Sequence, residues 1–171
     1  MKIAIVAATF AEIQPLFGWL AATGKQEQDF VFTLNRHTVF VLVTGVGITY
    51  TTYSLTKFLD RQKVDLTINM GIAGSFDSSL KIGEVVQVVS EQYGDLGVEN
   101  SDGSFTSAID MHLIDGAVYP FSGGKLLHPN GDASTFLPTA CGLTVHKVHG
   151  SSESIERVRK QFQQTIETME G

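Results

Sequence analysis

The amino-acid sequence predicts an α/β protein with a mixed, mainly parallel sheet that helices cover on both faces. Strand-length apolar runs alternate with helical patterns along the chain, which is typical of parallel sheets. Several of these runs are continuously apolar, as expected for strands that are buried on both sides. One pair of β-rich runs adds an antiparallel hairpin. Because no repeat, low-complexity tract or linker divides the chain, we predict a single domain over residues 1–171.

The first half of the chain is expected to contain a strand, a helix, a hairpin and a second helix. Residues 3–8 are an apolar run of strand length. The helix after it presents one apolar face at three- and four-residue spacing, formed by Ile13, Leu16, Phe17 and Leu20. Residues 30–34 and 38–43 are β-rich and three residues apart, so they predict the hairpin. A second helix is expected to begin after Gly47 and to end near residue 62.

The second half of the chain is expected to add four strands and one helix. The predicted strands cover residues 65–70, 83–89, 143–148 and 165–169. The first is expected to be buried, and the second is too continuously apolar for a half-exposed edge. Residues 94–139 are rich in Gly, Ser, Asp and Pro and predict a long loop region with a strand-like piece at 116–121. A helix is expected over residues 152–163, with Ser151 or Ser152 as its N-cap.

Composition narrows the classes of partner and site. The formal net charge is −6 and the pI is about 5.2, which argues against nucleic acid or an anionic membrane as the main partner. The single cysteine, Cys141, cannot form an internal disulfide or a cysteine-based zinc site, and we interpret it as a small core residue. No apolar run approaches the roughly 20 residues of a membrane-spanning helix, so we expect a cytoplasmic protein. His146 and His149 would lie on opposite sides of a strand, which argues against a metal site there.

Two glycine turns follow predicted strands. Residues 45–47 (GVG) lack the third glycine of a dinucleotide-binding fingerprint, because position 50 is Tyr50. Residues 71–74 (GIAG) follow the strand predicted at 65–70. Glycine turns at the carboxyl ends of strands are where open α/β sheets bind ligands, since backbone N–H groups and helix N-termini collect there. A plain tight turn is the alternative interpretation for residues 71–74.

Glu12 permits two interpretations. It lies just after the first strand, in the first turn of the following helix. A carboxylate at that position is stabilised by the helix dipole and needs no further role. The alternative is a general base near the ligand crevice of the sheet.

Several segments together resemble the nucleoside phosphorylase and nucleosidase superfamily. They are residues 1–12 (MKIAIVAATFAE), 43–47 (VTGVG), 68–75 (INMGIAGS), 83–86 (GEVV) and 166–171 (IETMEG). They occur in the family's order and span essentially the whole chain. Within the superfamily, residues 69–74, 93–99 (YGDLGVE) and 119–121 (YPF) are similar to the futalosine hydrolase subgroup. The methylthioadenosine/S-adenosylhomocysteine nucleosidases share the scaffold and are the alternative.

This resemblance implies a fold and an activity. The fold is the three-layer α/β/α phosphorylase type, in a homo-oligomer with no metal or organic cofactor. The activity is hydrolysis of the N-glycosidic bond of a purine nucleoside, here futalosine to hypoxanthine and dehypoxanthinyl futalosine in menaquinone biosynthesis. Substrate and water are then the partners. A further alternative is an inactive nucleoside-binding fragment.

The resemblance also assigns roles to residues at matching positions. Glu12 matches the carboxylate that activates water, and Glu170 matches the one that accepts hydrogen bonds from the ribose hydroxyls. The other matches are expected to line the substrate: Ile72, Ala73 and Gly74 on the water and ribose side, Met169 against the sugar, and Val148 beside the base. Hydrolysis is favoured over phosphorolysis because no arginine lies near Gly45 or Gly71 to hold a phosphate dianion.

The resemblance further implies that the family's fold continues beyond Gly171. Family members run several tens of residues further, so we expect the last strand and helix of the fold to be missing from this chain. The aspartate that protonates the purine ring nitrogen lies in that part of the family's sequence.

Overall fold

A computed structural model describes residues 1–128 and 136–171. Residues 129–135, which belong to the predicted loop region 94–139, lie outside the described residues. The chain divides into two compact units. The first comprises Met1–Ile72 with Glu170, and the second comprises Ala73–Met169 with Gly171.

The first unit contains a five-stranded sheet and two helices. Its elements are β1 (Lys2–Ala7), α1 (Phe10–Thr23), β2 (Lys25–Gln28), β3 (Val31–Leu34), β4 (His37–Val43), α2 (Ile48–Arg61) and β5 (Leu66–Asn69). The strand order is β2-β3-β4-β1-β5, with β4, β1 and β5 parallel and β2, β3 and β4 antiparallel. The predicted first strand, hairpin and two helices are confirmed. Strand β2 was not predicted because its sequence KQEQ is polar and its residues are all exposed.

Helices cover both faces of this sheet, as the sequence predicts. Val39 and Val41 of β4 face α1 and pack with its buried Ile13 and Leu20. The side chain between them, Phe40, points to the opposite face, because successive strand residues alternate. Its ring meets Phe58 of α2 edge-on, with centroids 5.6 Å apart. Helices α1 and α2 therefore bury the middle of the sheet from opposite faces.

Strand β5 departs from its predicted burial. The strand predicted at residues 65–70 was expected to be buried, yet Leu66 and Ile68 are 41% and 39% exposed. In the first unit β5 is an edge strand that pairs only with β1. The sequence of a strand does not tell whether another strand pairs with its far edge, and the burial of β5 was predicted wrongly.

The second unit contains a six-stranded sheet, a two-stranded ribbon and one helix. Its elements are β6 (Gly74–Ser75), β7 (Gln87–Tyr93), β8 (Gly97–Glu99), β9 (Phe105–Ser107), β10 (Phe121–Ser122), β11 (Lys125–Leu127), β12 (Thr139–Thr144), α3 (Ser152–Phe162) and β13 (Ile166–Thr168). The sheet order is β10-β11-β7-β12-β13-β6, and β8 pairs with β9. Strands β7, β12 and β13 run parallel, whereas the outer pairs are antiparallel. The mixed sheet is therefore confirmed.

Two strands of this unit are displaced from their predicted positions. The strand predicted at 83–89 begins only at Gln87, because Gly83 has a φ of +84° and Val85 is exposed. The strand predicted at 143–148 is β12 and ends at Thr144, so Val148 lies beyond it. The piece predicted at 116–121 forms turns, and only Phe121 enters a strand.

Helix α3 and strand β13 are confirmed close to their predicted bounds. Ser151 is the N-cap, and its Oγ accepts the N–H of Ser154 at 3.2 Å. Val158 of α3 packs against Leu143 of β12 in the core of this unit. Cys141 lies in β12 and is half-buried. Among the described residues no helix is both long and apolar enough to cross a membrane.

Candidate active site

Glu12 joins the first turn of α1 to the loop that follows β5. Its Oε2 accepts the N–H of Thr9 at 2.7 Å and the Thr9 hydroxyl at 2.8 Å. Its Oε1 accepts the N–H of Ile72 at 3.2 Å. The carboxylate closes a capping box on α1, whereas its position in the sequence had indicated only stabilisation by the helix dipole or a general base. The same side chain also reaches the glycine loop, which a plain capping residue does not need to do.

Gly71 allows the carboxylate to approach this loop. A Cβ at Gly71 would lie 2.8 Å from Oε1 of Glu12, closer than van der Waals contact allows. Residue 71 therefore has to lack a side chain if Glu12 is to keep this position.

Glu170 is held at the N-terminus of α2. Its Oε1 accepts the N–H of Gly47 at 2.8 Å, and its carbonyl oxygen accepts the Asn69 amide at 3.2 Å. Helix N-termini are positions where acidic side chains are commonly found, because the backbone N–H groups there lack partners within the helix. Gly45 and Gly47 have φ values of +95° and +93°, which non-glycine residues rarely adopt. Glycine at positions 45 and 47 therefore allows the backbone conformation in which the Gly47 N–H donates to Glu170.

The first unit thus gathers both predicted carboxylates at one edge of its sheet. Glu12 follows β1, Gly47 follows β4 and Ile72 follows β5, and these three strands are parallel neighbours. The carboxyl ends of neighbouring parallel strands meet at one sheet edge, where ligands bind in open α/β sheets. Two carboxylates there can stabilise a developing positive charge and accept protons. This edge is the candidate site.

The second unit contains the other predicted substrate-lining residues. Gly74 of β6 pairs with Glu167 of β13, and Met169 follows two residues after Glu167. Val148 lies in the segment after β12 and is 54% exposed. The structure brings Gly74 and β13 together directly.

Sequence reasoning missed three carboxylates in the second unit. Glu167 binds His149, and Asp95 binds His146, each through the ring Nδ1 and the backbone N–H. The sequence indicated neither pair, because the partners are 18 and 51 residues apart. Among the described residues no group of three or more His, Cys, Asp or Glu side chains could hold a metal ion.

The third missed carboxylate, Glu91 of β7, is partly buried. The Thr144 hydroxyl donates to its Oε2 at 2.8 Å, and the Thr168 hydroxyl donates to its Oε1 at 3.3 Å. Burial raises the pKa of Glu91, and the two threonine hydroxyls offset part of that rise. A Cβ at Gly142 or Gly171 would clash with this carboxylate. Small neighbours on both sides therefore make room for it.

Comparison with models of protein families identifies the family of this chain. The model described as "Phosphorylase superfamily" matches residues 2–137. The chain belongs to the phosphorylase superfamily. Two curated relatives are 5'-methylthioadenosine/S-adenosylhomocysteine nucleosidases of Bacillus licheniformis and Bacillus velezensis. They are 33% and 34% identical over 106 and 107 residues, which is 60% of this chain and 46% of each relative. The chain therefore matches about half the length of these curated relatives.

Solved structures of the superfamily share the fold. A futalosine hydrolase mutant of Helicobacter pylori strain 26695 superposes with a TM-score of 0.71 at 17% identity, covering 100% of this chain and 80% of that one. The S-adenosylhomocysteine nucleosidase of Streptococcus pyogenes gives a TM-score of 0.73 at 20% identity, covering 100% and 74%. The predicted phosphorylase-type α/β fold is confirmed.

Proposed function

We propose that the protein hydrolyses the N-glycosidic bond of a purine nucleoside. The observation that carries this proposal is the position of Glu12, whose Oε1 lies against the glycine loop while Thr9 fixes its Oε2. Glu170 is held at the same edge of the sheet. The nucleosidase names of the relatives at 33% and 34% identity support the same reaction.

In the proposed reaction, Glu12 accepts a proton from water while the water oxygen bonds to C1′ of the ribose. The bond from C1′ to the purine nitrogen breaks, its electron pair leaves with the base, and a proton from solvent or a protein acid neutralises that base. Positive charge develops on the ribose as this bond lengthens, and nearby carboxylates stabilise that charge. Oε1 of Glu170 is engaged by Gly47, which leaves Oε2 to accept hydrogen bonds from the ribose hydroxyls. Ile72, Ala73, Gly74, Met169 and Val148 line the substrate in this proposal.

Water is proposed as the nucleophile in preference to phosphate. A phosphate dianion needs cationic or backbone donors, and arginine is the usual side chain for this. Residues 1–12, 43–47 and 68–75 contain no arginine. The Glu12 carboxylate would repel a dianion at the position where it can orient water.

Futalosine is the proposed substrate. This choice rests on the sequence segments 69–74, 93–99 and 119–121, which are similar to the futalosine hydrolase subgroup. The second candidate is 5′-methylthioadenosine or S-adenosylhomocysteine, which the names of the curated relatives favour. The ratio of kcat/KM for futalosine and 5′-methylthioadenosine separates the two.

The test uses the protein expressed from its complete reading frame and a Glu12→Gln variant. Chromatography follows the release of hypoxanthine or adenine from the three nucleosides. We expect Glu12→Gln to lower kcat by about 10²- to 10⁴-fold, because glutamine cannot accept the proton of water. Its folding stability should change little, since glutamine can also close a capping box.

A matched control is Glu84→Gln. Glu84 likewise accepts the backbone N–H three residues before it, from Lys81 at 3.0 Å, but it is exposed in the segment before β7. This variant should keep wild-type kcat. If the kcat of Glu12→Gln equals that of the wild type, Glu12 has only its capping role. Calorimetric binding of nucleosides without any base release would favour the inactive nucleoside-binding alternative.

A further inference from the structure

Two carboxylates hold the segment after β12, and both use the same kind of contact with a histidine. Residues 145–149 contain His146 and His149, and each histidine gives both its backbone N–H and its ring Nδ1 to a single carboxylate. We call this segment the 145–149 segment. Asp95 holds the first histidine, with distances of 2.5 Å to the N–H and 3.0 Å to Nδ1. Glu167 holds the second, accepting its N–H at 3.0 Å and contacting its Nδ1 through the other oxygen.

The two carboxylate contacts differ in their exposure to water. The side chains of His146 and Asp95 are 58% and 34% exposed, whereas those of His149 and Glu167 are 20% and 4% exposed. Water can replace the partners of an exposed pair, so such a pair contributes little. A buried carboxylate has no such replacement and depends on its protein partners. The Glu167 contact therefore fixes the 145–149 segment more firmly than the Asp95 contact.

Glu167 also lies against other residues that we expect at the substrate. It is directly opposite Gly74 in the pairing of β13 with β6. A Cβ at Gly74 would be 3.6 Å from its Oε1, so the carboxylate packs against that backbone. Met169 follows two residues later in the chain. One buried side chain thus connects Gly74, the strand that leads to Met169, and the 145–149 segment.

From this arrangement we propose that Glu167 is a positioning residue, which acts through His149 to hold Val148 against the nucleobase. The proposal rests on the proposed function. Because the carboxylate accepts from both groups of His149, it fixes the imidazole with Nδ1 as donor and fixes the backbone beside Val148. Because Val148 is proposed to contact only the base, its displacement should raise KM more than it lowers kcat.

The test compares Glu167→Gln with Asp95→Asn in the protein expressed from its complete reading frame. Each change keeps the size of the side chain but replaces one acceptor oxygen with a donor, so one of the two histidine hydrogen bonds is lost. We expect Glu167→Gln to lower kcat/KM by about 10- to 100-fold, mainly through KM. The reason is that a displaced Val148 no longer holds the base in position. The dissociation constant for the free nucleobase should rise in parallel. Asp95→Asn should change both constants by less than about threefold.

A spectroscopic measurement separates positioning from general loss of structure. The ¹⁵N resonances of His149 should report the Nδ1–H tautomer in the wild type and lose that signature in Glu167→Gln. Amide exchange at His149, whose N–H donates to Glu167, should accelerate in this variant but stay slow in β12. If Glu167→Gln does not fold, His149→Asn removes the ring contact at a more exposed position and should raise KM in the same sense.

The outcomes are distinguishable from failure of the proposed function. An active wild type with an unchanged KM and unchanged base affinity in both Glu167→Gln and His149→Asn would overturn the positioning role alone. A wild type that neither binds nor cleaves any purine nucleoside overturns the proposed function, and the positioning role with it.

Discussion

Glu12 and Glu91 illustrate how the surroundings of a carboxylate decide its use. Glu12 accepts two backbone N–H groups and a hydroxyl, and it follows β1 at the edge where parallel strands end. Glu91 lies within β7 and accepts hydrogen bonds from two threonine hydroxyls. The sequence could single out Glu12 because it follows a strand and starts a helix. It gave no signal for Glu91, since the threonines and glycines around it are distant in sequence.

Gly71→Ala tests whether the position of Glu12 matters. The added Cβ would displace Oε1 of Glu12, which is the end of a flexible side chain, so stability should change by less than about 1 kcal/mol. Activity should fall by about 10- to 100-fold, because the carboxylate loses its place beside Ile72. Steady-state kinetics and urea unfolding measure the two effects.

The control for Gly71→Ala is Gly18→Ala in α1. A Cβ at Gly18 meets nothing within 4 Å, and alanine favours helix by up to about 1 kcal/mol. This variant should be slightly more stable and fully active. A Gly71→Ala protein with wild-type kcat would show that the contact with Glu12 is dispensable.

Glu91→Gln should make stability less dependent on pH. The folded-state pKa of Glu91 is raised above its ordinary value of 4.5 by burial, so folding favours the protonated form. The stability that this group contributes is present below pH 4.5 and is lost as the pH rises through the raised pKa. Glutamine stays neutral, so the variant should gain stability relative to wild type as the pH rises from 4 to 7.

Urea unfolding at several pH values measures this difference for Glu91→Gln. Glu99→Gln provides the control, because Glu99 lies in β8 and is exposed. Its stability difference from wild type should not grow over the same pH range. A constant difference for Glu91→Gln would show that burial does not govern this carboxylate.

At the scale of elements, local patterns predicted the helices better than the strands. The helical face of α1 and the cap of α3 depend on residues within one or two turns, so the sequence contains the necessary information. Strands β7 and β12 were displaced by several residues, because their limits depend on pairing with each other. The exposure of β5 depends on whether another strand lies beside it, which its own four residues do not encode.

Ser151→Ala tests the cap of α3. The Ser151 hydroxyl satisfies the N–H of Ser154, and losing such a cap costs about 0.5–2 kcal/mol. Urea unfolding should show this loss. Ser152→Ala is the control, since Ser152 is exposed at the first helical position and should be close to neutral. Equal loss in both variants would contradict the assignment of the cap.

At the scale of the whole molecule, the fold class and the family could be predicted from the sequence, and the site only in part. Glu12 and Glu170 were singled out by resemblance to a family, and parallel neighbouring strands place the contacts of both at one sheet edge. The carboxylates at Asp95 and Glu167 could not be predicted, because their partners meet only through pairing of distant segments. The predicted single domain, homo-oligomer and cytoplasmic location stay predictions.

The central claim is that water, activated at Glu12, cleaves a purine nucleoside. The most direct test is to incubate the protein with futalosine or 5′-methylthioadenosine in phosphate-free buffer containing H₂¹⁸O, and to analyse the products by mass spectrometry. We predict release of the purine base at a rate that added phosphate does not increase. The sugar product, reduced at once to prevent exchange, should carry ¹⁸O at C1′. Release of the base only when phosphate is present, or no release from either nucleoside, would contradict the account.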